Sequence, residues 1–233
     1  MKESDMYPYL KKYFEGKGYT VYPEIEPPGN GTKRADIVAI KDQEVVIIEM
    51  KVGFGLTVIQ QACDWKGYAN QIYIAIPKPK KRNWMPPIGS KLLASEKLGL
   101  LEVDLKDYSN FAYVDVNFSR VREVNKAPYQ PEASSAISII KFITPYHLEG
   151  PNGGSQTGGH ISGYQVTMRR VKEFLTDRDW TTAKEIADNV ETHYYAQDKS
   201  ASLKQSLLKW ESEWCEYKVI KGRGYFRIKS GQS

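Results

Sequence analysis

Arg34-Ala35-Asp36-Ile37-Val38-Ala39-Ile40-Lys41-Asp42-Gln43-Glu44-Val45-Val46-Ile47-Ile48-Glu49-Met50-Lys51 is two apolar runs joined by a polar turn, with charges at both far ends. Ile37–Ile40 and Val45–Ile48 read as buried strands, and Lys41–Glu44 as the turn between them. A turn centred between Asp42 and Gln43 pairs residues equidistant from that centre. Asp36 then faces Glu49, with Cβ atoms roughly 5 Å apart. The pairing is the same for a two-residue or a four-residue turn. Lys51 lies two residues beyond Glu49 and projects from the same face. Opposed carboxylates repel, and a hard divalent cation with oxygen ligands offsets that repulsion. Such a cation polarises a phosphodiester and acidifies a bound water, which Lys51 is placed to position or deprotonate. The plainer alternative is a hairpin end whose charges Lys51 neutralises.

Outward from the hairpin, Asp5–Phe14 carries apolar residues at Met6, Tyr9, Leu10, Tyr13 and Phe14, the stripe of an amphipathic helix ended by Gly16 and Gly18. Tyr19–Tyr22 is rich in β-formers, and Pro27–Gly31 in turn formers. Val58–Ala69 has helical character, with Gln61, Asp64, Trp65 and Tyr68 on one face. Gln71–Ile76 reads as a strand stopped by Pro77. Leu100–Val103 and Ala112–Val116 are shorter strand candidates. This order is α/β. Residues 119–149 show no clear periodicity.

Gly150–Gly163 contains six glycines and reads as a linker or loop. It divides the chain into 1–149, the linker 150–163, and 164–233. The last part is helical at Val166–Leu175. A capping box of Thr181 or Thr182 with Glu185 precedes Ile186 and Val190. Ala201–Trp214 carries Leu203, Leu207, Trp210 and Trp214 on one stripe and Ser202, Gln205, Ser206 and Lys209 on another. Tyr217–Ile220 and Tyr225–Ile228 form a hairpin turned by Lys221-Gly222-Arg223-Gly224. Three helices and a basic hairpin describe a winged-helix-like domain.

Asp36 followed by Glu49-Met50-Lys51 on the next strand resembles the signature of the PD-(D/E)XK nuclease superfamily, with Ala35 where a proline is usual before the Asp. Glu3–Pro8, Gly18-Tyr19, Leu56–Gln61, Ile72–Pro77, Leu98–Val103 and Gly153-Gly154-Ser155 extend the likeness over most of the chain. They resemble an uncharacterised bacterial family described as PD-(D/E)XK-type phosphodiesterases. Trp65 stands where that family tends to have an arginine. The resemblance implies a restriction-endonuclease-like mixed sheet flanked by helices. It implies Mg²⁺ or Mn²⁺ held by Asp36, Glu49 and the Met50 carbonyl, with Lys51 serving the water. Glu3 would be an auxiliary carboxylate, and Gln61 would orient the lysine or the phosphate. For Glu3 a helix-dipole role is the alternative, and for Gln61 a surface helix.

The chain has 233 residues and a formal net charge of +5, which permits nucleic-acid binding without requiring it. Residues 164–233 carry 13 basic and 10 acidic side chains, against 20 and 18 in residues 1–163, so positive charge is denser after the linker. Lys80, Lys81 and Arg82, with Trp84, make a basic loop that would grip phosphates while the indole stacks on a base; a solvated loop is the alternative. Gln205, Lys209 and Arg223 are the candidate nucleic-acid contacts of the C-terminal part, which reads equally as a protein-contact module. Two distant cysteines and three histidines argue against disulfide, zinc-finger or His-triad chemistry and for a cytoplasmic setting. The absence of a long apolar run argues against a membrane span. The expected activity is metal-dependent phosphodiester hydrolysis, most directly of DNA. The rival is a non-catalytic DNA-binding or regulatory protein on a nuclease-like scaffold. RNA as substrate and a homodimer stay open.

Overall fold

A computed structural model describes residues 1–27, 33–81, 83–107, 119–149, 162–194 and 198–229. Outside these fall most of the Pro27–Gly31 turn, Arg82, Ala112–Val116, nearly all of the glycine-rich segment, and Gly153-Gly154-Ser155. The chain divides into two units, Met1–His160 and Ile161–Ser233.

The central hairpin is β2 (Ala35–Lys41) and β3 (Glu44–Met50). Lys41 pairs with Glu44 and Ile37 with Ile48, so the register read from the turn centre holds. Asp42 takes a left-handed φ of 54°, a conformation that suits a two-residue hairpin turn and that Asp tolerates. An antiparallel edge strand, β1 (Thr20–Ile25), flanks β2. On the other side β3 runs parallel to β4 (Gln71–Pro77), and β4 parallel to β5 (Gly99–Val103). Antiparallel β6 (Val121–Asn125) completes a six-stranded sheet in sequence order among the described residues.

Strand alternation sends side chains to two separate cores. Val38, Val45 and Ile47 pack with α2 (Leu56–Cys63), α3 (Pro87–Ser95) and α4 (Ala136–Phe142). Ile37, Ala39, Val46, Ile48 and Met50 pack with Met6, Leu10 and Phe14, which belong to or adjoin α1 (Tyr7–Glu15). Because both faces are covered, the strands read as continuous apolar runs rather than alternating ones.

The structure departs from the sequence reading at several elements. The first helix begins at Tyr7 after a separate 3₁₀ turn, Glu3–Asp5. α2 stops at Cys63 instead of reaching Ala69. From there the backbone tightens into i→i+3 bonds, Trp65 to Ala62 and Lys66 to Cys63, and turns at Gly67 with φ 84°. The turn buries Trp65 and Ala69, an apolar gain that a straight helix would forgo. The aperiodic stretch 119–149 supplies β6, α4 and a 3₁₀ turn at Pro145–Glu149.

Gly99 opens β5 where a Cβ would strike the Tyr73 ring and come within 2.8 Å of the Ala127 backbone nitrogen. Gly99→Ala is expected to destabilise the first unit by about 1–3 kcal/mol through overpacking, read as a lowered melting midpoint. An unchanged midpoint would mean that Tyr73 relaxes freely.

The second unit runs α5 (Gly163–Thr176), β7 (Thr181–Thr182), α6 (Ala183–Asn189), α7 (Lys199–Trp210), β8 (Cys215–Ile220) and β9 (Arg223–Ile228). Its three strands lie in the order β7-β9-β8. Val171, Leu175, Ile186, Leu203, Leu207 and Phe226 form its core. The capping box is Thr182 with Glu185: the Glu185 N–H donates to Thr182 Oγ1 at 3.2 Å, and the Thr182 N–H donates to Glu185 at 2.8 Å. α7 ends at Trp210, so Trp214 is not on it. Trp210 is 64% exposed, which leaves Leu203 and Leu207 as the buried stripe. The β8–β9 turn is Lys221-Gly222, with φ of 47° and 78°. Arg223 therefore pairs with Ile220 inside the hairpin instead of sitting in its turn.

Candidate functional site

Asp36 and Glu49 continue the β2–β3 register one step beyond the Ile37–Ile48 pair, on the face that carries Val38 and Ile47. The Met50 backbone N–H donates to Asp36 Oδ2 at 2.7 Å, so the Asp36 side chain takes over the end of the ladder. The indole of Trp65 donates to Glu49 Oε1 at 2.6 Å. Glu49 is 4% exposed, whereas Asp36 keeps an edge in solvent.

Burial raises both acids well above the usual carboxylate range. For Asp36 the charges of Glu24 and Glu3 add to the rise, and the Met50 N–H and Lys51 oppose it. For Glu49 the Asp36 charge adds to the rise, and Trp65, Lys51 and the Asp36 backbone N–H oppose it. Each carboxylate makes the other harder to ionise, so the two release their protons as a pair.

The Lys51 backbone N–H extends the β3–β4 ladder by donating to Ala75 O at 3.0 Å. Its ammonium lies 3.2 Å from both oxygens of Glu3. The structure thus brings Glu3, Lys51, Asp36 and Glu49 to one end of the sheet, and Glu3 is there as the partner of Lys51. No group of three or more His, Cys, Asp or Glu side chains spaced to share an ion occurs among the described residues.

The sequence reading misses Glu24 at this site, and it places Trp65 only on a helix face. Glu24 on β1 is 2% exposed and lies level with Asp36, between the Pro23–Ile37 and Ile25–Ala35 pairs. It takes a left-handed φ of 54° and pairs with Arg34 at 2.5 Å. No local pattern marks it, because its register depends on the β1–β2 connection. For Trp65 the unread part is its bond to Glu49. Its one sequence signal is an indole, an apolar body with a single polar handle that needs a partner when buried.

The expected helix face of Gln61, Asp64, Trp65 and Tyr68 is not formed, because α2 ends at Cys63. Asp64 pairs with Lys33 at 2.8 Å. Gln61 makes no hydrogen bond to Lys51, Asp36 or Glu49. Its buried Oε1 has no partner among the described residues, and it lines an open groove with Leu56, Ile59, Leu92 and Glu96.

In the basic loop Trp84 donates to Glu102 Oε1 at 2.8 Å and packs edge-on against Phe54, so its indole is anchored to the sheet. Glu102, 1% exposed, is also held by Arg122 at 2.6 Å. Lys80 and Lys81 are exposed.

In the second unit Gln205, Lys209 and Arg223 are exposed. Ser206 is tied to the Tyr194 hydroxyl at 2.6 Å, and Lys209 lies 4.6 Å from the Trp210 ring centre.

No protein-family model matches the chain, and no curated protein matches it. Among solved structures, a protein of unknown function from Silicibacter pomeroyi aligns with 61% of this chain and 84% of its own, at 18% identity and a TM-score of 0.38. No helix among the described residues is long and apolar enough to cross a membrane.

Proposed function

We propose that the protein is a metal-dependent phosphodiesterase acting on nucleic acid, most directly a DNA nuclease on a restriction-endonuclease-like sheet. One observation carries the reading: two carboxylates opposed at the end of a buried hairpin, with a lysine beside them. Two buried like charges are costly unless compensated. Neither accepts a hydrogen bond from a cationic side chain, and Asp36 Oδ1 accepts none from any described residue. That donor set fits Mg²⁺ or Mn²⁺, for which one or two carboxylates suffice when water and phosphate oxygens fill the other positions.

Asp36, Glu49 and the Met50 carbonyl would hold the cation, which supplies Lewis acidity and neutralises charge on a phosphodiester. Lys51 holds a proton at Nζ where it can hydrogen-bond the attacking water or the phosphate. Glu3 aims that ammonium through their 3.2 Å ion pair. Burial keeps bulk water from screening the charges.

In this reading the second unit, with strands in the order β7-β9-β8, is winged-helix-like and supplies the nucleic-acid affinity. An acidic centre repels a phosphate backbone until its cation arrives, so a separate basic anchor speeds capture. Lys209 on α7 and Arg223 on the hairpin are its proposed phosphate contacts. In the full chain, the double change Lys209→Ala/Arg223→Ala is expected to weaken DNA binding and to flatten its salt dependence, by about one unit of slope for each phosphate no longer neutralised. An unchanged slope would reassign this unit to protein contact, a role that suits the exposed Trp210 and Leu208.

The activity itself is tested by incubating the full chain with linear, nicked and single-stranded DNA in Mg²⁺ or Mn²⁺. Metal-dependent cleavage supports the enzyme. Binding to DNA without cleavage of any substrate supports the non-catalytic alternative.

A further inference from the structure

We infer that Trp65 is a positioning residue that keeps Glu49 from turning both oxygens to the cation, and that this selects small octahedral ions over Ca²⁺. The inference rests on the metal reading above and deepens it. Trp65 is 2% exposed and packed among Val58, Ala62 and Ile74 in the core, with its ring edge-on to Tyr68 at 6.1 Å between centroids. An indole has one donor and no acceptor. Its N–H already donates to Glu49 Oε1 at 2.6 Å, and the ring is buried. Asp36 is limited in the same way, because its Oδ2 takes the Met50 backbone N–H at 2.7 Å.

Neutral N–H donors thus hold both carboxylates in place, Trp65 with the Asp36 backbone N–H at Glu49 and the Met50 N–H at Asp36, so neither turns freely to grip an ion with both oxygens. Ca²⁺ takes 6–8 oxygen ligands, and a carboxylate that can grip it with both oxygens helps to fill that larger shell. Mg²⁺ and Mn²⁺ accept single-oxygen carboxylates, with solvent and phosphate filling the rest of an octahedron. A neutral donor suits this role better than a cationic one. It orients Glu49 and leaves the negative charge that attracts the ion.

Calorimetric titration of the full chain with MnCl₂ and with CaCl₂, in wild type and Trp65→Phe, tests the inference. Phenylalanine keeps most of the ring and deletes the N–H. Wild type is expected to bind Mn²⁺ at least about ten-fold more tightly than Ca²⁺. In Trp65→Phe the Mn²⁺ affinity should fall by about ten-fold, as for other supporting hydrogen bonds, while Ca²⁺ affinity holds or rises. A Mn²⁺/Ca²⁺ ratio unchanged by the substitution overturns the inference and leaves the metal site standing. Wild type that binds neither ion removes the metal site and the inference together. Should Trp65→Phe fail to fold, the indole proton of Trp65 in wild type gives an independent readout by NMR. It should stay downfield and slow to exchange when Mg²⁺ saturates the protein. Its release toward the position of a solvated indole would show that both Glu49 oxygens move to the ion, which overturns the inference.

Discussion

Lys51→Ala should lower metal-dependent DNA cleavage by about 10²–10³-fold, the range for deleting one preorganised hydrogen-bond donor, and should barely change the melting of the first unit. The two effects separate because of where Lys51 sits. Its side chain is 28% exposed, and its partner Glu3 is 20% exposed. An ion pair with that much solvent contact is worth at most about 1 kcal/mol to folding. The same ammonium lies just past the end of β3, two residues beyond Glu49 and beside the carboxylate pair. Asp36→Asn should also abolish cleavage, by a different route. It removes a ligand charge, so calorimetric Mn²⁺ affinity falls together with activity, whereas Lys51→Ala leaves Mn²⁺ affinity within a few-fold of wild type. Cleavage that persists unchanged in both variants would place the active site elsewhere.

With EDTA present, the first unit should lose stability as pH rises from about 4 to about 8, and Glu49→Gln should remove much of that loss. The sign follows from the raised acids. Near pH 4 and below, the folded and unfolded states both hold the protons. As pH rises, the unfolded chain releases them near its ordinary carboxylate values. The folded chain keeps them until Asp36 titrates near 7 and Glu49 near 8. Across that window the folded state binds more protons, so its stability falls with pH, by up to about 1.4 kcal/mol per pH unit for each group. Above the window the penalty is constant. Glu49→Gln cannot ionise, still offers an amide oxygen to the Trp65 N–H, and relieves the charge on Asp36. It is expected to be more stable than wild type at pH 8 by on the order of 3 kcal/mol, with little difference at pH 4. Denaturation midpoints followed at both pH values check this. Equal pH dependence in wild type and Glu49→Gln would mean that the two carboxylates do not repel as their placement requires. Mg²⁺ or Mn²⁺ should restore the wild type at pH 8 and do little for Glu49→Gln, because the ion takes the place of the protons.

The two units were unequally legible in sequence. The capping box at Thr182 and Glu185, the Leu203/Leu207 stripe and the β8–β9 hairpin are local patterns, and each appears, the hairpin with its turn shortened to Lys221-Gly222. Trp210 and Trp214 fit the same helical stripe on paper. α7 ends at Trp210, which puts Trp214 beyond it and leaves Trp210 facing solvent. α2 was overextended for a related reason. Residues 64–69 have helical spacing, but burying Trp65 and Ala69 against the sheet outweighs continuing the helix. Periodicity reports which residues want burial, and it does not report where the chain must bend to bury them.

The Asp36–Glu49 opposition is already written in the order of residues, because a short turn is a centre of symmetry and every pairing in a hairpin follows from it. The place of Lys51 beside that pair follows as directly, since strand alternation needs no tertiary information. What holds the pair emerges only in three dimensions. Trp65 reaches Glu49 across 16 residues, Glu3 reaches Lys51 across 48, and Glu24 lies level with Asp36 on a neighbouring strand. The same applies to Trp84, which meets Glu102 only because β5 lies beside β4. Such contacts depend on which strands become neighbours and on which face a helix packs. Those outcomes are set by the burial of the whole apolar surface, to which each of these polar residues contributes little on its own.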